Sequence, residues 1–322
     1  MKKNRRLMYY IIAGIIVLLL PVIVRNEYWT VVFVRVIINM IVALGLNFIT
    51  GLIGQMNLGT AGIYALGAYG SALLTNKTGC SPWLGLLFAA FLGLVIGVAL
   101  GYPSLRLKGV YFSLTTIGFT MIVQIFLNNL TGLTGGSQGV QHIAPFTLFG
   151  MAIDTYVKSY YLYLIFALVA LFIANRIVNS KWGRLFRSLR ENSDAVEMMG
   201  VDIASVKIKA FCVCAVFGTI GGAMFAHFYR YISPATYTTD VSMNYVLMVL
   251  VGGIGSVPGT LVGAAIITIL PELLRGLGEY YLITFYIIIL AGILAFPNGW
   301  IDAGQRLITR IKSHNTVKQK GA

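Results

Sequence analysis

Apolar runs of about 17 to 22 residues, nearly free of charged side chains, recur along this 322-residue chain. Runs of this length suit helices that cross a hydrocarbon core of about 30 Å, where every backbone polar group must be bonded within the protein. Hydrophobic residues make up 58% of the sequence and charged residues only 11%, which disfavours a soluble protein. The sequence therefore predicts an all-α, polytopic integral membrane protein.

We predict about ten transmembrane helices with Gly-rich broken or re-entrant segments. The predicted spans are roughly 8–24, 29–47, 57–74, 82–101, 110–128, 159–177, 208–228, 242–254, 259–274 and 281–296. The eighth and ninth are short, and a single broken or re-entrant element is the alternative. The chain begins like a signal peptide, but Leu20–Val24 offers no small-residue cleavage site, so we expect the first span to be retained.

The basic residues predict the orientation of these spans. Eighteen Lys and Arg residues fall on the side that holds both termini and five on the other, so both termini are predicted to be cytoplasmic. The regions are then a basic N-terminus (1–7), a transmembrane domain (8–296) with a cytoplasmic segment (178–207), and a basic cytoplasmic tail (297–322). The net charge of +14 reflects this topology and not a nucleic-acid partner.

The longest external connection is predicted to be segment 129–158. It contains an apolar piece, Ala144–Ile153, which is too short to span the bilayer and is expected to lie along the interface. The segment either gates or receives an extracytoplasmic partner, or it is a plain connector.

A charged island, Ser180–Gly200, interrupts the apolar runs. Its first part has apolar residues at the spacing of one helix face, Trp182, Leu185, Phe186 and Leu189. Its second part begins at residues that favour helix N-caps and ends near Gly200, which favours a helix C-terminus. The island either docks into a cytoplasmic partner or rests on lipid headgroups.

The sequence contains no recognisable catalytic or metal site. Its three histidines and three cysteines have no metal-ligand spacing, and no GxxxxGK[ST] phosphate loop is present, so we predict a transport subunit without a nucleotide site. The acidic residues fall in loops or at span ends, with Glu272 nearest to a span interior, which disfavours an ion-coupled secondary transporter without excluding it. Arg35 lies inside a span and either snorkels, makes a structural contact or serves the translocation path.

Two Gly-rich breaks, Asn47–Gly62 and Gly252–Gly263, interrupt the helical pattern. Non-helical backbone at membrane depth is tolerated only where protein or a water-filled cavity satisfies it. Polar residues of the two breaks are therefore candidates for the translocation path: Gln55, Asn57, Thr60, Ser256 and Thr260. Close helix packing through small residues is the alternative. The position of each break between adjacent spans suggests an internal duplication.

Four collinear motifs carry a family resemblance: Leu46–Tyr69, Leu105–Gly118, Leu133–Gly139, and Gly252–Gly259 followed by Leu270–Arg275. Together they resemble the permeases of branched-chain amino acid ABC importers, and the Leu-Thr-Gly-Gly stretch resembles the LivM-type branch. The resemblance implies translocation of branched-chain or related hydrophobic amino acids. Permeases for urea or short amides belong to the same family and are the alternative.

The resemblance also implies partners. These are a second, LivH-like permease, two cytoplasmic ATPases that bind ATP and Mg²⁺ in trans, and an extracytoplasmic substrate-binding protein, assembled in the lipid of a bacterial or archaeal cytoplasmic membrane. No cofactor is expected in this chain. The island resembles the ATPase-contacting loop, although Asp194-Ala-Val departs from the common Glu-Ala-Ala. The implied coupling residues are Arg190, Glu191, Asp194, Ala195, Glu197, Met198, Met199 and Gly200.

Overall fold

A computed structural model describes residues 26–104, 107, 109–148, 151–296 and 299, together with residues 18, 20, 21 and 24. The basic N-terminus, most of the first predicted span and nearly all of the basic tail lie outside the described residues. The described part is helical apart from turns, irregular loops, one isolated β-bridge and one two-residue antiparallel ladder between β1 (Thr147–Leu148) and β2 (Met151–Ala152).

The helices follow the apolar runs closely. In chain order they are α1 (Glu27–Leu46), α2 (Thr60–Thr78), α3 (Pro82–Ser104), α4 (Val110–Asn129), α5 (Thr131–Thr134), α6 (Tyr156–Val178), α7 (Lys181–Glu191), α8 (Ser193–Met198), α9 (Ile203–Tyr229), α10 (Thr239–Gly252), α11 (Val257–Leu274) and α12 (Tyr281–Ala295). A π-helical segment, Asn47–Ile53, continues α1, and 3-10 turns occupy Gly136–Gln138, Pro234–Thr236 and Arg275–Tyr280. Each predicted span after the first coincides with a helix.

Six helical stretches among the described residues are long and apolar enough to cross a membrane: Glu27–Ile53, Pro82–Pro103, Val110–Asn129, Tyr156–Val178, Ile203–Tyr229 and Val257–Ala295. Helix α10 has 14 residues, a length of about 21 Å at 1.5 Å per residue, so it is shorter than the hydrocarbon core. It packs antiparallel to α11, and the eighth and ninth spans are thus two separate helices. The total of ten crossings stays a prediction.

Side-chain and backbone hydrogen bonds at the helix ends agree with the sequence. The carboxamide of Asn26 accepts from the backbone N–H of Tyr28 at 2.9 Å and caps α1, and the carboxylate of Asp202 caps α9 in the same way. Gly79 ends α2 at φ +65°, a left-handed conformation that glycine adopts without steric cost. These local signals explain where the helices begin and end.

The centre of the molecule is built on α1 and α9. In the continuous helix Glu27–Ile53, 89% of the most apolar stretch is buried. The corresponding shares in α4 and α6 are 28% and 22%, so these two helices form the outer surface. Helix α9 packs against α1, α2 and α3. Small residues allow this approach, because a β-carbon at Gly222 would lie 2.9 Å from the backbone nitrogen of Ala68.

Segment 129–158 is fastened to the helices beside it. Val140 forms a β-bridge with Ile232, and the indole N–H of Trp83 donates to the carbonyl of Thr147 at 2.7 Å. The apolar piece Ala144–Ile153 contains the β1–β2 ladder, which its length alone did not predict. Its position along the membrane interface stays a prediction.

The orientation has a direct test at Ser137, which is exposed on this segment. In a Cys80→Ser background, Ser137→Cys is expected to react with an impermeant maleimide in intact cells, because the basic-residue bias places the segment outside. A matched thiol on the island that is predicted to be cytoplasmic, Glu197→Cys, should react only after the membrane is opened. The reverse labelling pattern would overturn the orientation.

Candidate coupling and translocation sites

The two Gly-rich breaks meet in the structure. The side-chain oxygen of Asn47, in the first break, accepts a hydrogen bond from the backbone N–H of Gly255, in the second, at 3.0 Å. Gly51 makes this approach possible, because a β-carbon there would lie 2.7 Å from the same nitrogen. Segments separated by 208 positions in the sequence therefore form one junction, here called the break junction and defined by Asn47, Gly51 and Gly255.

The first break is a π-helical segment followed by an irregular turn. Gly54 ends the π-helical segment in a left-handed conformation, with φ +82°. The carboxamide oxygen of Asn57, which is fully buried, accepts from the N–H of Gly59 at 2.8 Å, and the hydroxyl of Thr116 accepts from the N–H of Leu58 at 3.0 Å. Side chains thus satisfy the backbone of the break, as the low dielectric of a membrane interior requires.

The second break is the tight connection between α10 and α11. Ser256 caps α11 by accepting from the N–H of Gly259 at 3.1 Å, and the hydroxyl of Thr260 donates to the carbonyl of Ser256 at 2.9 Å. Gly252 and Gly263 bring the two helix backbones into contact, since a β-carbon on Gly263 would lie 2.8 Å from the nitrogen of Gly252. The connection therefore depends on residues without side chains.

The five candidate path residues fall into two groups. Asn57, Ser256 and Thr260 satisfy backbone polar groups of the breaks through the hydrogen bonds described above, and a role for them in lining the path stays a prediction. The hydroxyl oxygen of Thr60 and the side-chain oxygen of Gln55 are buried and have no hydrogen-bond partner among the described residues. Of the five, Thr60 and Gln55 thus retain unused hydrogen-bonding capacity, and a role for them in translocation stays a prediction.

Helix α7 turns its apolar face into the protein. Phe186 is 1% exposed and Leu189 7%, and both belong to the main hydrophobic core. The ammonium nitrogen of Lys209, on α9, lies 4.0 Å from the centre of the Trp182 ring, a cation–π contact that fastens α7 to α9. The amphipathic pattern is therefore confirmed, and the protein itself covers most of the apolar face.

Helix α8 has the opposite arrangement. Val196 is buried and anchors it, whereas the side chains of Met198 and Met199 are 88% and 69% exposed. Ala195 is exposed on the same short helix, and Gly200 ends it at φ +76°, the left-handed conformation that the sequence predicted. The implied acidic coupling residues Glu191, Asp194 and Glu197 are also exposed. The island thus offers flexible apolar side chains beside carboxylates, a surface suited to a protein partner.

Arg190 connects this island to the break junction. Its guanidinium donates to the carbonyl of Gly51 at 2.9 Å, and its aliphatic stem passes next to Gly54. Sequence reasoning placed Arg190 among the ATPase-contacting residues, but the structure gives it a bond inside the chain. A separation of 139 positions provides no local sequence signal for this contact.

Arg35 pairs with Glu272. The distance between Nη1 of Arg35 and Oε1 of Glu272 is 3.7 Å, and Tyr28 donates its hydroxyl hydrogen to the other carboxylate oxygen. The intramembrane arginine therefore has the structural contact that the sequence left as one alternative. Within the described residues, no group of three or more His, Cys, Asp or Glu side chains is placed to hold a metal ion.

Comparison with known proteins agrees with this architecture. The family model for the permease component of branched-chain amino acid transport systems matches residues 29–297. The chain is 32% identical over 296 residues to the high-affinity branched-chain amino acid transport system permease protein LivM of Salmonella typhimurium, which covers 85% of this chain and 68% of that protein. LivM of Escherichia coli K12 matches with the same identity and coverage.

A second type of permease is more distantly similar. LivH of Escherichia coli K12 is 27% identical over 283 residues, or 80% of this chain and 89% of that protein. No solved structure matches. Because the family model covers nearly all of the described helices, from α1 to the end of α12, the chain belongs to the family of branched-chain amino acid transport system permease components.

Proposed function

We propose that the chain is a permease subunit of an ATP-binding cassette importer that translocates branched-chain or related hydrophobic amino acids across the cytoplasmic membrane. The family match over residues 29–297, which includes both breaks and the cytoplasmic island, is the observation that carries this proposal. The subunit supplies a path and no catalytic site of its own. Ten spans are proposed, so both termini share one side of the membrane, and the basic-residue bias favours the cytoplasmic side.

The proposed partners follow from the relatives. LivM and LivH are both similar to this chain, so a LivH-like second permease is expected to pair with it. Two ATPases bind ATP and Mg²⁺ on the cytoplasmic side, and a binding protein delivers the amino acid from outside. Surrounding lipid contacts the outer helices, whose apolar side chains are widely exposed.

Coupling is proposed to run through the island. Movement of an ATPase that holds Met198 and Met199 displaces α8, which Val196 joins to the core. The bond from Arg190 to Gly51 carries the displacement to the first break, and the bond from Asn47 to Gly255 carries it to the second. This chain of contacts supports rigid-body alternation of access to the path.

Uptake by the reconstituted transporter tests the proposal. Proteoliposomes that contain the chain with its partner permease and ATPases should accumulate labelled leucine only when ATP is enclosed and the binding protein is outside. Vesicles loaded with a non-hydrolysable ATP analogue are the control, because the analogue binds the ATPases but is not hydrolysed. Accumulation driven by an ion gradient alone would favour a secondary transporter and contradict the proposal.

A further inference from the structure

A cavity of about 450 Å³ lies between α1, α9, α10, α11 and α12, apart from the break junction. Its volume is within the usual range for small-molecule sites. One part of its wall is apolar and includes Phe225, Met248, Ile267 and Phe285. Another part is polar and includes Arg35, Asn39, Asn244 and Glu272. A cavity of mixed character within the helical bundle suits a ligand that has both an apolar and a charged portion.

The two charges on the wall are loosely paired. The 3.7 Å between Nη1 of Arg35 and Oε1 of Glu272 is an ion-pair distance and too long for a hydrogen bond. The hydroxyl of Tyr28 donates a hydrogen bond to the other carboxylate oxygen of Glu272. Within the described residues, the guanidinium of Arg35 donates no hydrogen bond, although it has five N–H donors. Both charges can therefore bind a further group without breaking a bond between them.

The neighbouring polar groups are partly fixed and partly free. Asn39, one turn beyond Arg35, donates to the hydroxyl of Thr268 at 2.9 Å and accepts from the hydroxyl of Tyr245 at 3.0 Å. The side-chain oxygen of Asn244 is buried and lacks a partner among the described residues. Pro271 has no N–H, so the carbonyl of Ile267, also on the wall, loses its helical donor. The cavity wall thus has spare acceptors in addition to the carboxylate.

We propose that this cavity is a binding subsite for a zwitterionic amino acid with an apolar side chain, in which Arg35 holds the carboxylate and Glu272 the ammonium group. The assignment rests on the proposed transport function and narrows its substrate class. A zwitterion matches one cation and one anion, whereas urea or a short amide leaves both charges unmatched. The ligand replaces the ion-pair attraction between Arg35 and Glu272 but no hydrogen bond between them, so the net gain is small and binding is weak enough for release, as a translocation path requires.

Uptake by charge variants is the first test. Glu272→Gln keeps the side-chain size and removes the negative charge, and Arg35→Gln removes the positive charge with a shorter polar side chain. Each is expected to lower leucine uptake by about tenfold or more, the loss that corresponds to one charge-assisted hydrogen bond. Glu279→Gln is the matched control, because it removes an exposed carboxylate by the same substitution outside this cavity. Uptake by Glu272→Gln within twofold of the unmodified transporter would overturn the proposal.

A second measurement needs neither flux nor intact coupling. In the assembled transporter, Asn244→Cys places a thiol on the cavity wall, and its alkylation by N-ethylmaleimide is followed by mass spectrometry. Millimolar leucine should slow the reaction several-fold, whereas leucinamide, 4-methylpentanoate and urea should not, since each lacks one or both charges. Absence of protection by leucine, or equal protection by urea, would overturn the subsite even if a charge variant fails to assemble.

The two measurements separate this inference from the transport proposal. A transporter that accumulates no leucine with ATP, yet shows leucine-specific protection of the introduced thiol, would contradict the proposed function and support the subsite. ATP-driven leucine uptake with no such protection would support the function and overturn the subsite.

Discussion

Gly263→Ala is expected to lower the thermal stability of the purified protein strongly, whereas Gly118→Ala should leave it unchanged or slightly raised. A β-carbon at residue 263 would collide with the carbonyl oxygen of Met248 and lie 2.8 Å from the nitrogen of Gly252. Because both of these are backbone atoms, no rotamer change relieves the contact, and α10 and α11 must separate. Overpacking of this kind lowers the free energy of unfolding by about 1–3 kcal/mol. We expect a value near the upper end of this range, because the contact is with backbone atoms.

Gly118 is a matched control on α4. It lies inside a helix as Gly263 does, but a β-carbon there would have no atom within 4 Å apart from its own helix and chain neighbours. Alanine also favours the helix by about 1 kcal/mol over glycine. Apparent melting midpoints in detergent should therefore differ by roughly 5–10 °C between the two variants. Equal midpoints would mean that the close contact between α10 and α11 does not limit stability.

Ala195→Asp should abolish recovery of the ATPases with the permease. Ala195 lies on the exposed helix that carries Met198 and Met199, so the protein itself has room for a carboxylate. In a complex, the same carboxylate would be buried without a partner against the ATPase, at a cost of roughly a few kcal/mol. About 1.4 kcal/mol is a factor of ten in affinity, and the complex should then dissociate in detergent at ordinary concentrations.

The matched control is Ala235→Asp. It introduces the same charge at an exposed alanine in the turn Pro234–Thr236, on the side predicted to be external. A pull-down with tagged permease should recover the ATPases with this variant as well as with the unmodified protein. Full recovery with Ala195→Asp would show that α8 is not the docking site, and the island would then rest on headgroups.

Helix positions could be read from the sequence because their causes are local. Predicted segment 110–128 is the helix Val110–Asn129, and 281–296 is Tyr281–Ala295. The signals are the length of an apolar run, the N-cap residue and the glycine that ends a helix. Each acts within a few residues, so a single sequence is enough to predict where a helix begins and ends. The conformation of Gly200 was predicted on the same basis.

Contacts between distant segments could not be read in this way. The bonds from Asn47 to Gly255 and from Arg190 to Gly51 depend on how helices pack, and membrane helix packing has weak sequence signals beyond small residues. The pairing of Arg35 with Glu272 is similar. Each residue stood out in the sequence as a charge in or near a span, but no local pattern predicted that the two form an ion pair. The β1–β2 ladder was missed because two-residue strands lie below the length at which alternation is detectable.

The break junction also has a consequence for biosynthesis. The ribosome makes Asn47 and Gly51 long before their partners: Arg190 follows Gly51 by 139 residues, and Gly255 follows Asn47 by 208. The helix that ends up most deeply enclosed is thus inserted early, with polar groups at its end that stay unpaired until most of the chain has been translated. Nascent chains that stop before Gly255 keep this defect.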